Sequence, residues 1–137
     1  MIEARTEAEA VLRMEDGEAV LSGLEALPIE SAIVVCGIGM LRDFELGYWN
    51  GETYERHRCT EPVELVSLQG NIAPCGDQRI VHLHACVAKR DGSTLGGHLF
   101  AGTVHNTAEI LLVCPRGMVL ERRTEPSGLT GLYPRAT

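Results

Sequence analysis

The sequence predicts an α+β domain built mainly on one antiparallel sheet, with one or two short helices. Three observations carry that expectation. Short β-branched or alternating apolar runs recur from residue 32 onward. Two Xaa-Gly turn signals, Asn50-Gly51 and Asp91-Gly92, join neighbouring runs. Only one segment spaces its apolar residues as a helix does.

Taken in order, Arg5–Met14 is rich in Ala and Glu and favours helix by propensity. Yet Ala8, Ala10, Leu12 and Met14 alternate with Glu7, Glu9, Val11 and Arg13, which suits an edge strand. On the residues alone both readings stand. Next, Val20, Leu21, Leu24 and Leu27 fall at helical spacing, with Asp16 as N-cap and Pro28 as the stop. Ala32–Cys36 reads as a buried strand, and Gly37-Ile38-Gly39 as a tight connection to the alternating run Asp43–Trp49. Asn50-Gly51 returns the chain as a polar, exposed Glu52–Arg58. Pro62 opens a strand over Val63–Leu68 that Gly70-Asn71 breaks, and a second hairpin joins Arg79–Lys89 to Thr94–Ala101. Ala108–Val113 is the last clear strand, ended near Pro115. The Thr124–Thr137 tail, with two prolines and two glycines, reads either as disordered or as an arm across a neighbouring subunit.

Length fits one domain over residues 1–137, with its core at about 6–120. A chain of this size buries roughly two-thirds of its unfolded surface and needs no covalent staples. Twelve Lys+Arg against nineteen Asp+Glu leave a net charge of −7, which argues against a phosphate backbone as the main partner. Two Phe, three Tyr and one Trp are too few for a base-stacking platform. The apolar run Ala32–Leu41 is interrupted by glycines and ends at Arg42, short of the about 20 residues a membrane span needs. Charged residues at Glu3, Arg5, Glu7 and Glu9 exclude a secretory signal there. Five cysteines with no C-x-x-C pair point to reduced thiols and a cytoplasmic protein.

Gly37-x-Gly39 is no dinucleotide fingerprint, because Arg42 stands where the third glycine belongs. Chemistry concentrates instead in His82-Leu83-His84 and Gly96-Gly97-His98. Alternation puts His82, His84 and Cys86 on one face and Val81, Leu83, Ala85 and Val87 on the other. Two imidazoles so placed can lean onto one metal ion, with the third ligand from the partner strand. Register decides whether His98 qualifies. A two-residue turn pairs Arg90 with Ser93 and sets His98 on the wrong face. A three-residue loop pairs Lys89 with Ser93 and places His84 opposite His98; a bulge at Gly96-Gly97 also brings His98 round. Neutral imidazoles suit several divalent transition metals. Without a metal, the histidines are half-buried groups satisfied by Ser67, Asn71 or Glu109. Glu109, inside an apolar strand, is either the candidate acceptor for a ligand imidazole N–H or a residue that simply reaches a sheet edge. His57 reads as a solvated residue, His105 as a turn residue and Cys86 as a core filler.

Four blocks occur in order: Gly37-Ile38-Gly39-x-Leu41-x-Asp43-x-Glu45-Leu46-Gly47-Tyr48, Val63-Glu64-Leu65-Val66-Ser67-Leu68-x-Gly70-Asn71-Ile72, His82-Leu83-His84 and Gly96-Gly97-His98-Leu99. Together they resemble the plant and prokaryote conserved (PPC) domain in its free-standing prokaryotic form. The resemblance spans about residues 6 to 120 and implies a mainly antiparallel sheet, a homotrimer, and a strand at Arg5–Met14. It implies a metal on His82, His84 and His98, a divalent transition ion with zinc foremost. Plant members of the family carry AT-hooks, and DNA contact there belongs to an Arg-Gly-Arg-Pro hook that this sequence lacks. The expected function is therefore a metal-binding regulatory or interaction module of the DNA-associated type, with no membrane partner. A small hydrolase or lyase using the three-histidine metal, with Glu109 or Glu64 as acid or base, is the alternative. A third possibility is a purely structural trimer with histidines at its interface. Direct DNA binding calls for a basic stripe from Arg56, Arg58, Lys89, Arg90, Arg122 and Arg123.

Overall fold

The computed structural model describes residues 1–137. Eleven strands and one helix follow in order: β1 Ile2–Arg5, β2 Glu9–Glu15, α1 Val20–Glu25, β3 Ala32–Trp49, β4 Tyr54–Cys59, β5 Val63–Cys75, β6 Gln78–Ala88, β7 Thr94–Val113, β8 Met118–Val119, β9 Arg122–Thr124, β10 Thr130–Leu132 and β11 Arg135–Ala136. Seven strands form the main sheet in the order β1-β2-β7-β6-β5-β3-β4, all its pairs antiparallel. The sheet dominates more than an α+β description implies, because the only helix is six residues long. No helix is long and apolar enough to cross a membrane.

One extra pairing shapes the molecule. The first residues of β7 pair with β6, from His84↔His98 to Ala88↔Thr94, and its last pair with β2, from Glu9↔Val113 to Glu15↔Thr107. β3 runs along the other side of β7, from Ile33↔Val113 to Gly47↔His98. Because β6 pairs with β5 and β5 with β3, strands β7, β6, β5 and β3 close into a ring. Closure leaves those strands without free edges and wraps them around one core. Leu12, Met14, Leu24, Leu41, Phe44, Leu68, Leu83, Leu99 and Ile110 fill it, each essentially inaccessible to water. Burying one such side chain contributes about 1.5–3 kcal/mol.

Alternation settles the N-terminal segment as strand. Ala10, Leu12 and Met14 point into the core and their neighbours outward. β2 is an inner strand, however, because β1 covers its outer side. The helix buries Val20 and Leu24 as its spacing predicts, but it starts at Val20 with no side-chain cap. Asp16 is not that cap. Its carboxylate instead accepts from the Asn106 backbone N–H at 2.8 Å and from Arg42 Nη1 at 2.9 Å.

Three expected breaks are continuous strand instead. Gly37–Gly39 lies inside β3, Gly70-Asn71 inside β5, and His105-Asn106 inside β7. None of them ends its strand. β3 shifts register at Val34/Cys36 and again at Gly39/Leu41, and Gly39 sits at φ +143° with the Thr107–Ala108 backbone filling the space a Cβ needs. Asn106 takes φ +66°, which Asn tolerates better than most residues. Irregularities of this kind let 18- and 20-residue strands curl around a small core. The tail is folded as well: β9 pairs with β10 and β11 with β8 inside the chain.

Candidate metal centre

The centre forms where β6 and β7 run side by side. Lys89 N–H donates to Ser93 O at 2.8 Å and Gly92 N–H to Lys89 O at 2.9 Å, with Gly92 at φ +82°. That is a three-residue loop, Arg90-Asp91-Gly92, with glycine in the left-handed position. Asp91 Oδ1 fixes it by accepting from Ser93 N–H at 2.9 Å and Ser93 Oγ at 2.6 Å. The register then runs without interruption from Ala88↔Thr94 to His84↔His98. Of the two ways to bring His98 to the histidine face, the chain uses the loop. A bulge at Gly96-Gly97 is absent.

Val81, Leu83, Ala85 and Val87 are buried in the core, and His82, His84 and Cys86 face the other way. The three imidazoles sit with ring centroids 4.9–5.5 Å apart. One ligand nitrogen from each lies within 4.8 Å of the others. Tetrahedral zinc, with bonds of about 2.0–2.1 Å, holds its nitrogens about 3.3 Å apart. Modest side-chain rotations supply the difference. His84 is exposed and the other two are half-buried. His98 stacks against Tyr54 and Phe100 at 5.2 and 4.4 Å, and its Nδ1 is buried with no hydrogen-bond partner. A buried imidazole nitrogen left bare beside two more imidazoles fits a metal ligand.

Burial, then the Arg122 charge, then His98 and His84, push the His82 pKa down to about 4. Burial leads for His98 too, followed by His84, Arg122 and Arg56, and its pKa also falls to about 4. Both rings are therefore neutral at pH 7, as metal ligation requires. In the unfolded chain these rings titrate at about 6.5. Between pH 6.5 and 4 the unfolded state binds protons that the folded state does not, so metal-free stability is full above that window and falls within it. We expect a lower denaturation midpoint for metal-free protein at pH 5 than at pH 7. A double His82→Asn, His98→Asn variant should flatten the dependence.

One contributor was not legible as such. Arg122, at the start of β9, is only 5% exposed. Its Nη2 donates to His82 Nδ1 at 2.6 Å and to Asn71 Oδ1 at 3.0 Å, and its Nη1 to Thr130 O at 2.6 Å. A guanidinium only donates, so His82 Nδ1 accepts and the ring proton resides on Nε2. Asn71 is held opposite His82 by the β5–β6 ladder. It satisfies the arginine instead of a histidine. In sequence, Glu121-Arg122-Arg123 looks like an ordinary solvated charge run, and nothing there signals a buried arginine.

Other candidates fall elsewhere. Glu109 is exposed, opposite Arg13 and Ile38, on the outer face of β7 eleven positions from His98, and accepts no bond from the three histidines. It is not the acceptor expected for a ligand imidazole. Glu64 is exposed on β5 opposite Met40 and Ala88. His57 is exposed, His105 lies beside Arg42 and Asp16, and Cys86 is outside the histidine cluster. Among the basic residues, Arg56 and Arg58 each bond the buried Glu45 carboxylate at 2.7 Å and hold its pKa low, Arg58 foremost. Arg123 pairs with Glu121 at 3.0 Å and Arg122 is buried. Only Lys89 and Arg90 of the expected stripe have no carboxylate or burial tying them down.

A pocket of about 320 Å³ opens beside His82 and His98, walled by Tyr54, Ile80, Leu129 and Thr130, with Arg122 in its lining. No carboxylate lines it.

Comparison with known proteins places this geometry. A Pyrococcus horikoshii plant- and prokaryote-conserved protein superposes with a TM-score of 0.83 at 30% identity, covering 94% of this chain and 91% of that one. A metal-containing protein from Archaeoglobus fulgidus superposes at 0.81 with 27% identity, over 91% and 92% of the two chains. A Ralstonia eutropha protein named provisionally as DNA-binding gives 0.83 at 26% identity, over 96% and 94%. Two curated Synechococcus proteins named bifunctional protein GlmU are 31% identical over 121 residues, 85% of this chain. The chain spans only 18% of the length of those relatives. The sequence model of the Plants and Prokaryotes Conserved domain matches residues 1–114, a stretch that contains all three histidines and the whole seven-stranded sheet. The chain belongs to the Plants and Prokaryotes Conserved domain family.

Proposed function

We propose that this chain is a homotrimeric, cytoplasmic metal-binding module. In this reading His82, His84 and His98 hold a divalent transition metal, zinc foremost. The observation that carries it is the convergence of three imidazoles, one nitrogen of each within 4.8 Å of the others, with the Nδ1 of His98 buried and partnerless. The Archaeoglobus neighbour, named as metal-containing, supports the same reading. Three protein ligands leave a coordination position open, and the pocket beside His82 and His98 gives it access. That access favours a metalloenzyme as the second reading. Catalysis also needs an acid or base, however, and the carboxylates of Glu64 and Glu109 are directed elsewhere. Binding is therefore the better-supported role. Interaction with other molecules fits better than direct reading of DNA, since most of the candidate basic residues are paired or buried within the chain.

Assembly is supported by the outer sheet face. Val11, Ile33, Val35, Ile38 and Val66 expose 40–55% of their surface there, on β2, β3 and β5. Contiguous apolar area of this kind marks an interface. Metal site and outer face can be separated in one experiment, combining elemental analysis of tag-free protein with sedimentation. Wild type should carry near one metal per chain and sediment as a trimer. His84→Ala should lose the metal and stay trimeric, whereas Ile38→Asp should dissociate and keep the metal. Wild-type protein without metal after zinc incubation, or Ile38→Asp remaining trimeric, contradicts the corresponding half.

A further inference from the structure

We infer that the pocket beside the histidines binds a small organic acid, with its carboxylate held by Arg122; this rests on the metal reading above and names the ligand class for the same site. The first observation is an unbalanced charge. Arg122 is 95% buried by its 5% exposure, yet its partners are the neutral groups Asn71, Thr130 O and His82. A buried ion without a counter-charge costs several kcal/mol. No carboxylate forms an ion pair or hydrogen bond with it, and burial pulls the guanidinium pKa down. No acidic residue lines the pocket that Arg122 faces. In a chain of net charge −7, this is a local cationic hole.

Ligation at the histidines deepens the imbalance. A divalent ion adds two charges beside the guanidinium, and neutral imidazoles supply none in return. His82 also changes its relation to Arg122. If His82 ligates through Nδ1, that nitrogen is taken; if through Nε2, the ring proton moves to Nδ1. In either case His82 can no longer accept from Arg122, and an Nη2 N–H is released. Thr130 O and Asn71 still hold the guanidinium in place, so its free donor stays at the pocket. An arginine fork with a spare donor suits a carboxylate.

The walls narrow the class. Ile80, Leu129 and the Tyr54 ring line the pocket, and its volume of about 320 Å³ admits a molecule with an apolar body. An organic acid uses both the charge and those walls; inorganic phosphate uses only the charge. Arg122 lies beyond residues 1–114, the stretch that the family model matches, on the C-terminal β9–β10 hairpin.

The test is calorimetric titration of the full, zinc-loaded chain with benzoate, with benzamide as its uncharged counterpart, and zinc per chain measured separately. Benzoate should bind at least tenfold more tightly than benzamide. Arg122→Gln should weaken benzoate at least tenfold at equal zinc occupancy. Because Arg122 anchors the hairpin, Leu129→Glu is the second variant. It leaves the arginine in place, offers it an internal carboxylate, and should also displace benzoate. Benzamide binding as tightly as benzoate, undiminished benzoate affinity in both variants, or no benzoate binding at millimolar concentration overturns the inference. Inorganic phosphate binding as tightly as benzoate overturns the organic-acid assignment. If zinc does not load, the metal reading fails on its own, and the same titration on metal-free protein decides. Weaker binding that still needs Arg122 sustains the anion site, and none removes it.

Discussion

Zinc at a hundredfold excess over its dissociation constant should raise the unfolding temperature by roughly 10 °C, and His98→Ala should abolish the shift. A ligand bound only by the folded state at that excess stabilises by about 2.7 kcal/mol. In a domain of this size each kcal/mol moves the transition by roughly 4 °C. The unfolded chain has no such site, because residues 82 and 98 meet only through the β6–β7 register. The same substitution should change metal-free stability little. It removes packing against Tyr54 and Phe100, but it also removes a buried nitrogen that has no partner. An unsatisfied buried polar atom costs about 1–3 kcal/mol, comparable to the lost aromatic contact. Differential scanning fluorimetry with and without zinc reads both effects. An equal zinc shift in wild type and His98→Ala places the metal elsewhere.

Gly70→Ala should be the most damaging single methyl in the chain, costing about 3 kcal/mol and lowering the unfolding temperature by roughly 10 °C. Gly70 sits at φ +157° in the middle of β5, and the space its Cβ needs is filled by the His82 carbonyl and the Leu83 Cα. The methyl therefore meets backbone that cannot step aside without opening the β5–β6 ladder. That ladder pairs Gly70 with Leu83 and Asn71 with His82. Pushing it apart disturbs a core leucine, a proposed metal ligand and the acceptor for Arg122 together. Zinc binding should weaken along with stability, whereas Gly76→Ala, at a turn with open space around it, should leave zinc binding intact. Chemical denaturation and zinc titration of both variants check this. Wild-type stability in Gly70→Ala contradicts the close crossing of β5 and β6.

The histidine face was legible because strand alternation is local: His82, His84, Val81 and Leu83 sort themselves by position alone. His98 was legible only conditionally, since its face depends on whether the Asp91-Gly92 loop holds two residues or three. The left-handed Gly92 and the Asp91–Ser93 bonds settle that, and they are tertiary detail. Strand lengths were hidden for a different reason. Gly39, Gly70 and Asn106 carry the residue types of turns, but here Gly39 and Asn106 sit at strand irregularities and Gly70 lets neighbouring backbone approach closely. Asp16 was misassigned because a capping residue and a loop anchor share the same chemistry, and the Asn106 N–H and Arg42 lie far away in sequence. Arg122 had no signal at all. Its burial follows from where the β9–β10 hairpin docks, against Asn71 and His82 some fifty and forty residues earlier.

The most direct measurement on the proposed metal centre is X-ray absorption at the zinc edge of the loaded, tag-free protein. Three imidazole nitrogens plus one oxygen at about 2.0–2.1 Å are expected from His82, His84, His98 and an open position taken by water or a carboxylate. A sulfur ligand at about 2.3 Å, or fewer than three imidazoles, would contradict the account by drawing a cysteine such as Cys86 into the site or dissolving the histidine cluster.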